Sequence, residues 1–339
     1  MAERVLSQRE LNRATLARQL LLKRARLPAV SALERVAGLQ SQLAATAYVG
    51  LWTRLEGFRP AALDRALLGG KATRGLLMRR TVHTASTGDF ARFGAALSGE
   101  LPGWVTAEMA EAATRVAGPL RKFCSVPRTR EEVLEWLERE HGVVNENTNG
   151  IWYAVRIQAR IAHAPESSRW RAPVHGPRFV AFGGEEVDPD AARAELVRRH
   201  LAAFGPATRA EITRWSGLNT GRFAHLLDGL RTLRDDRGRT LLDLQRAPLP
   251  AADTPAPVRF LPKFDNVLID RERILPQEYL KLVVRKNADV QPTFTVDGYV
   301  AGVWRTEKGR VVTEPFAPLP REARRELEEE RSRLEAWLR

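Results

Sequence analysis

Apolar positions recur along this chain in short helical blocks, each bounded by a capping residue, a proline or a glycine. Ser7 precedes Leu11, Ala14, Leu16, Leu20 and Leu21, and Glu10 stands three residues after it, the spacing of a capping box. Pro28 stops this block, and Ser31-Ala32-Leu33-Glu34 reads as the boxed start of another. Pro60 opens a helix through Leu63, Ala66 and Leu67 that Gly69-Gly70 end. Leu76 to His83 is then β-prone and reads as a strand. Short helices followed by a strand are the order of a winged helix-turn-helix. The order returns. Thr129 to Glu132 caps a helix through Val133, Leu134 and Leu137, Trp152 to Ile161 follows as helix or strand, and Arg169 to Phe182 alternates like a hairpin. Asp188-Pro189 opens a third block, continued by Thr208 to Trp215, a stop at Gly217, and a further helix from Thr220 through Leu230. A turn at Asp235 to Gly238 and a strand at Thr240 to Leu244 complete a second wing candidate.

Beyond a linker at Ala247 to Pro257, the pattern turns to period two. Val258 to Pro262 is a strand, and Pro292 to Arg305 folds back at Asp297-Gly298, a strong hairpin signal. Arg321 to Arg339 is a charged closing helix. The expected fold class is mainly α with small β-hairpins and sheets, an α+β chain of tandem winged-helix units. Residues 1–120 form the first unit, 121–187 the second, 188–250 the third, and 251–339 a hairpin region with its closing helix.

Charge narrows the class of partner. Lys and Arg number 54 against 41 Asp and Glu, a net charge of +13. That excess suits a polyanion such as nucleic acid or an anionic membrane, although an Arg-rich composition also gives basic proteins without one. The single cysteine, Cys124, excludes a disulfide framework and any cysteine-cluster metal site. A reducing cytoplasm fits. No apolar run reaches the roughly 18 residues of a membrane span, and the polar, amphipathic start is expected to be part of the fold rather than a signal peptide.

The candidate chemistry sits in Gly38-Leu39-Gln40-Ser41-Gln42-Leu43. Residues i and i+2 diverge on a helix but share a face when extended, and Gly38 ends the preceding helical pattern. Gln40 and Gln42 can therefore hold one small target between them. An amide does not titrate, so the pair can orient a water or a polar ligand but cannot be a strong base.

Five blocks in order resemble a known family: the Gln-Ser-Gln run, Gly50 to Leu55, Leu77-Met78-Arg79-Arg80-Thr81-Val82-His83, Phe260 to Asn266, and Val296 to Arg305. The resemblance is to the HTH_42 winged-helix superfamily, which includes the AlkZ and YcaQ types of DNA glycosylase. It implies tandem winged-helix units in a C-shaped body and excision of alkylated purines, interstrand crosslinks included. The AlkZ-like branch carries Gln, one residue, then Gln, whereas the YcaQ-like branch carries Asp at the last place. This chain looks AlkZ-like. It departs at Ser41, where the family often has an aliphatic residue; in an extended strand that side chain points away from the site.

A purine alkylated at N7 or N3 is cationic and leaves with little acid catalysis. It needs a water placed under C1′ and stabilisation of a cation-like sugar, which two neutral amides can supply. We therefore expect Gln40 and Gln42 to be catalytic, with no metal and no cofactor, in a monofunctional hydrolase. The candidate DNA contacts are Arg79, Arg80, His83, Lys263, Asp265, Asn266, Tyr299 and Arg305. For His83 a core role competes, for Asp265 a turn-capping one, and the Val296–Trp304 hairpin is either a minor-groove wedge or the completion of a sheet. Trp52 and Trp304 read as core. The expected partner of this cytoplasmic, nucleoid-associated monomer is double-stranded DNA containing alkylated purines. The alternatives are a non-catalytic winged-helix DNA-binding protein, either a regulator or a lesion-shielding factor, and a protein recognising structured RNA.

Overall fold

Helices followed by a small sheet recur three times along the chain. The computed structural model describes residues 4–143, 148–172, 176–184, 187–269 and 271–339. A short strand, β1 (Val5–Leu6), leads into α1 (Gln8–Arg18), which carries the capping box of Ser7 and Glu10. Helix α2 (Ala29–Arg35) starts before the predicted box at Ser31, because Pro28 is its N-cap and leaves Ser31 inside the helix. Ala37 and Gly38 then take φ of 58° and 79° and turn the chain into β2 (Leu39–Gln40). Helices α3 (Ala44–Arg54) and α4 (Pro60–Leu68) precede β3 (Ala72–Leu76) and β4 (Val82–Ser86), and the sheet order is β2-β4-β3. The predicted single strand Leu76–His83 is thus a hairpin turn between two strands. Met78–Arg80 form a 3₁₀ turn in which Arg79 and Arg80 adopt φ of 54° and 57°.

Helix α5 (Thr87–Ala96) leads to α6 (Ala107–Phe123), α7 (Arg130–His141) and α8 (Thr148–Gln158), followed by the paired strands β5 (Ile161–His163) and β6 (Phe179–Ala181). The predicted hairpin over 169–182 reduces to β6 alone, and residues 173–175 lie outside the described residues. Next come α9 (Pro189–Phe204) and α10 (Arg209–Ser216), then β7 (Arg231–Asp235) and β8 (Thr240–Asp243). The helix expected from Thr220 is only two 3₁₀ turns, Thr220–Arg222 and Ala224–Leu226. Thr220, Gly221 and Gly229 are poor helix formers, and Phe223 and Leu227 still reach the core from the turns. Strand β1 pairs in parallel with β7, so the early chain shares a sheet with the third repeat.

The last segment holds β9 (Arg259–Leu261), the single helical turn α11 (Leu280–Val283) and the small hairpin β10 (Val284–Arg285) and β11 (Asp289–Val290). Strands β12 (Thr293–Val296), β13 (Tyr299–Glu307) and β14 (Arg310–Pro315) join β9 in a sheet ordered β14-β13-β12-β9, backed by α12 (Arg321–Leu338). That sheet shares one core with α2, α3 and α4, including Leu33, Tyr48, Phe260, Phe294 and Leu334. Trp52 and Trp304 belong to it, as expected. No helix among the described residues is long and apolar enough to cross a membrane.

Candidate functional site

The Gln-Ser-Gln run is extended. Leu39 pairs with Thr84 and Gln40 with His83, and the Ser41 N–H donates to the Val82 carbonyl at 2.7 Å. Alternation puts Gln40 and Gln42 on one face and Ser41 on the other. Ser41 is buried, with its hydroxyl 2.8 Å from that of Thr84. Two side chains clamp the backbone of the run. Buried Arg74 donates to the Ser41 carbonyl at 2.9 Å and the Gln42 carbonyl at 2.7 Å. Burial lowers its pKa to about 10, which leaves it charged at neutral pH. On the other edge Asn266 acts as a substitute strand. Its Oδ1 accepts from the Gln40 N–H at 2.9 Å, and its Nδ2 donates to the Gly38 carbonyl at 2.8 Å.

With the backbone held, both glutamine side chains line an open cavity of ≈ 900 Å³, together with Arg79, Arg214, Phe264 and Asn287. The two amides differ. Gln40 Oε1 accepts from Arg79 Nη2 at 2.7 Å, and the same guanidinium donates to the Trp215 carbonyl in α10. The Gln42 amide has no hydrogen-bond partner among the described residues. His83 Nε2 lies 3.4 Å from Arg79 and its Nδ1 3.0 Å from the Thr81 carbonyl. Burial, then the charge of Arg79, pushes the His83 pKa down to about 3. The ring is neutral, and donation from Nδ1 to Thr81 leaves Nε2 as an acceptor toward Arg79.

Three of the proposed DNA contacts are interior. Asp265 borders the cavity, but its two oxygens each accept from buried Arg54 at 2.8 Å and one also caps the Val267 N–H. Asn266 and His83 are fully buried. None of these side chains faces out, because each satisfies a buried partner. Arg80 donates to the Leu97 carbonyl, and burial lowers its pKa to about 10. Lys263 pairs with Asp289 at 2.6 Å, opposite Arg285 beside the turn of the β10–β11 hairpin. The Asp297-Gly298 turn is no free wedge. It docks on α1, where Asn12 donates to the Gly298 carbonyl at 2.8 Å and Arg9 and Arg13 pair with Asp297. A Cβ at Gly298 would lie 2.6 Å from Leu16, so the tip is seated against the helix, and Tyr299 follows it. Arg305 is on the β13–β14 surface, paired with Glu307 at 2.6 Å and Glu314 at 3.3 Å, and does not line the cavity.

Residues 33–337 match the family model described as DNA glycosylase AlkZ-like. The chain belongs to that family. An interstrand DNA cross-link repair glycosylase of Streptomyces sahachiroi is 25% identical over 328 residues, 88% of each chain. The solved structure of the Streptomyces sahachiroi DNA glycosylase AlkZ has the same fold, with a TM-score of 0.79 at 23% identity, covering 96% of this chain and 95% of that one.

Several residues that line this AlkZ-like glycosylase's cavity, or hold the glutamine run beside it, escaped the sequence reading. Arg74, which clamps the run, and Arg214, which lines the cavity, sit in ordinary strand and helix patterns, and nothing local marks them. Phe264 lines the cavity from a backbone φ of 63°. The β10–β11 hairpin overhangs it through Asn287, Ala288 and Val290. Arg285 and Lys286 at its tip are exposed and form no ion pair among the described residues. A signal was present there: Asn287 between Val283-Val284 and Val290 is a turn residue between β-branched positions.

Proposed function

We propose that this glycosylase hydrolyses the N-glycosidic bond of purines made cationic by alkylation at N7 or N3 in duplex DNA, interstrand crosslinks included, without a lyase step. The observation that carries the reading is the placement of two uncharged amides, Gln40 and Gln42, on one cavity wall with their backbone clamped from both edges. Among the described residues two carboxylates line the cavity, and both are paired: Asp265 with Arg54, and Glu272 with Arg237 at 3.0 Å. The described part of this wall offers no free strong acid, so it favours a base that departs unaided and spares normal nucleotides.

The division of labour follows from the contacts. Arg79 fixes the Gln40 amide with one lone pair of its carbonyl occupied. The unpartnered Gln42 amide holds the attacking water under C1′, and the partial negative charge of the carbonyl oxygens offsets the cation-like sugar. No lysine lines the cavity among the described residues, which supports hydrolysis over a Schiff-base route. The three helix-then-hairpin repeats act as winged-helix units on the duplex, and the β10–β11 hairpin supplies cations to the phosphates. The open cavity leaves space for a crosslinked partner strand, the kind of lesion named for the Streptomyces sahachiroi relative.

Release of 7-methylguanine from alkylated duplex DNA tests the reading. Gln42→Ala should cut release about 10²–10³-fold, as for loss of one oriented polar contact to a transition state, with a much smaller effect on DNA affinity. Uracil released at a comparable rate, or equal losses of rate and affinity, would overturn it.

A further inference from the structure

A second cavity, of ≈ 700 Å³, opens on the other side of the β3–β4 turn. Arg79 and Thr81 line both cavities, so the turn is a shared wall. The second cavity has a different chemistry. Its far side is aromatic and apolar, built from Leu101, Pro102, Trp104 and Tyr153. Trp104 is 50% exposed, an unusual state for the largest apolar side chain. Its ring stands at 84° to that of Tyr153 with centroids 5.1 Å apart. Two perpendicular rings make a corner in which a planar group lies flat on one and edge-on to the other. Arg79 and Arg80 close the near side, and Glu100, the one carboxylate there among the described residues, is paired with Arg222 at 3.2 Å.

We propose that the Trp104–Tyr153 corner is a subsite for a planar aromatic substituent carried by the alkylated purine, a specificity element that rests on the glycosylase reading above. Contiguity supplies the first argument. A group that reaches across the turn from the Gln40–Gln42 cavity must be attached to the target purine or to its neighbour. The cost of getting there supplies the second. A neighbouring base must unstack first, at a few kcal/mol, whereas an N7 or N3 substituent already projects from the groove edge of its base. The aromatic corner therefore favours adducts over ordinary sequence and gives bulky lesions an advantage over methyl groups.

The test compares duplexes containing N7-methylguanine or N7-(naphthylmethyl)guanine, each with a 2′-fluoro sugar that resists cleavage for binding and with the natural sugar for turnover. In Trp104→Ala the preference for the naphthylmethyl duplex over the methyl duplex should fall about tenfold in both measurements, since stacking on one aromatic side chain is worth roughly that factor, and Trp104→Phe should restore most of it. An unchanged preference overturns the subsite. So does an equal loss of affinity for both duplexes, which would make Trp104 a platform for an ordinary base. If the wild-type protein released neither base yet showed the Trp104-dependent binding preference, the subsite would stand and the hydrolytic reading would fall.

Discussion

Two hairpin turns face the same cavity, and both carry adjacent basic residues. In the β3–β4 turn the arginines point into the protein: Arg79 holds Gln40 and the Trp215 carbonyl, and Arg80 holds the Leu97 carbonyl. In the β10–β11 turn Arg285 and Lys286 face solvent without an ion pair among the described residues. The two pairs look alike in sequence and do different work. A guanidinium near buried carbonyls becomes structural, because leaving those acceptors unmet costs more than the exposed contact would return. A cation on a two-stranded tip has no such neighbours among the described residues and stays in solvent, where the proposed function gives it a phosphate to meet.

The sharpest way to break this contrast is to remove an inward partner. Asp265→Ala strands the Arg54 guanidinium in the core and should cost about 3–5 kcal/mol of stability, read by urea denaturation; a change under 1 kcal/mol would mean the pair is dispensable. Acid should act in the same inward region. His83 and His200 have folded pKa values depressed to about 3 from 6.5. Their contribution is complete above pH 6.5 and is lost as pH falls toward 3, because the unfolded chain takes up the protons first. Between pH 7 and 5 each should cost about 2 kcal/mol, and a flat denaturation profile over that range would contradict their burial. Arg79→Ala should lower excision about 100-fold through a misoriented Gln40, with only a few-fold change in affinity; the reverse split would return Arg79 to the DNA surface. Arg285→Ala with Lys286→Ala should weaken DNA binding about tenfold and flatten the salt dependence by about two charges. Arg305→Ala, already paired on the far sheet, should move stability by less than about 0.5 kcal/mol and leave the salt slope alone.

Local signals in the sequence proved legible where one short stretch determines the structure. The boxes at Ser7 and Thr129, the helix start at Thr208, the proline start at Pro60 and the Asp297-Gly298 turn all form where their chemistry places them. The shared face of Gln40 and Gln42 was legible too, since it needs only an extended strand. What stayed hidden depends on distant chain. Asn266 could not be read as the strand partner of Gln40, because 226 residues separate them. The Asp297-Gly298 turn announced itself as a hairpin, but only α1 packing against Gly298 shows that its tip is closed. The helix expected from Thr220 failed for a different reason: its apolar spacing is helical, but glycine and threonine weaken the backbone enough for the core to accept 3₁₀ turns instead.

The Asn266 contact also sets a clock. A ribosome adding about 5–20 residues per second exposes the glutamine strand well before the side chain that completes its outer edge. The 226 residues between them take about 11–45 s at that speed. During that interval the nascent strand has β4 and Arg74 on one side and an open edge on the other, where another extended chain can pair. The segment that carries Asn266 is thus the last step in building the wall that holds Gln40 and Gln42, and a chain interrupted before Asn266 carries both glutamines without the clamp that aims them.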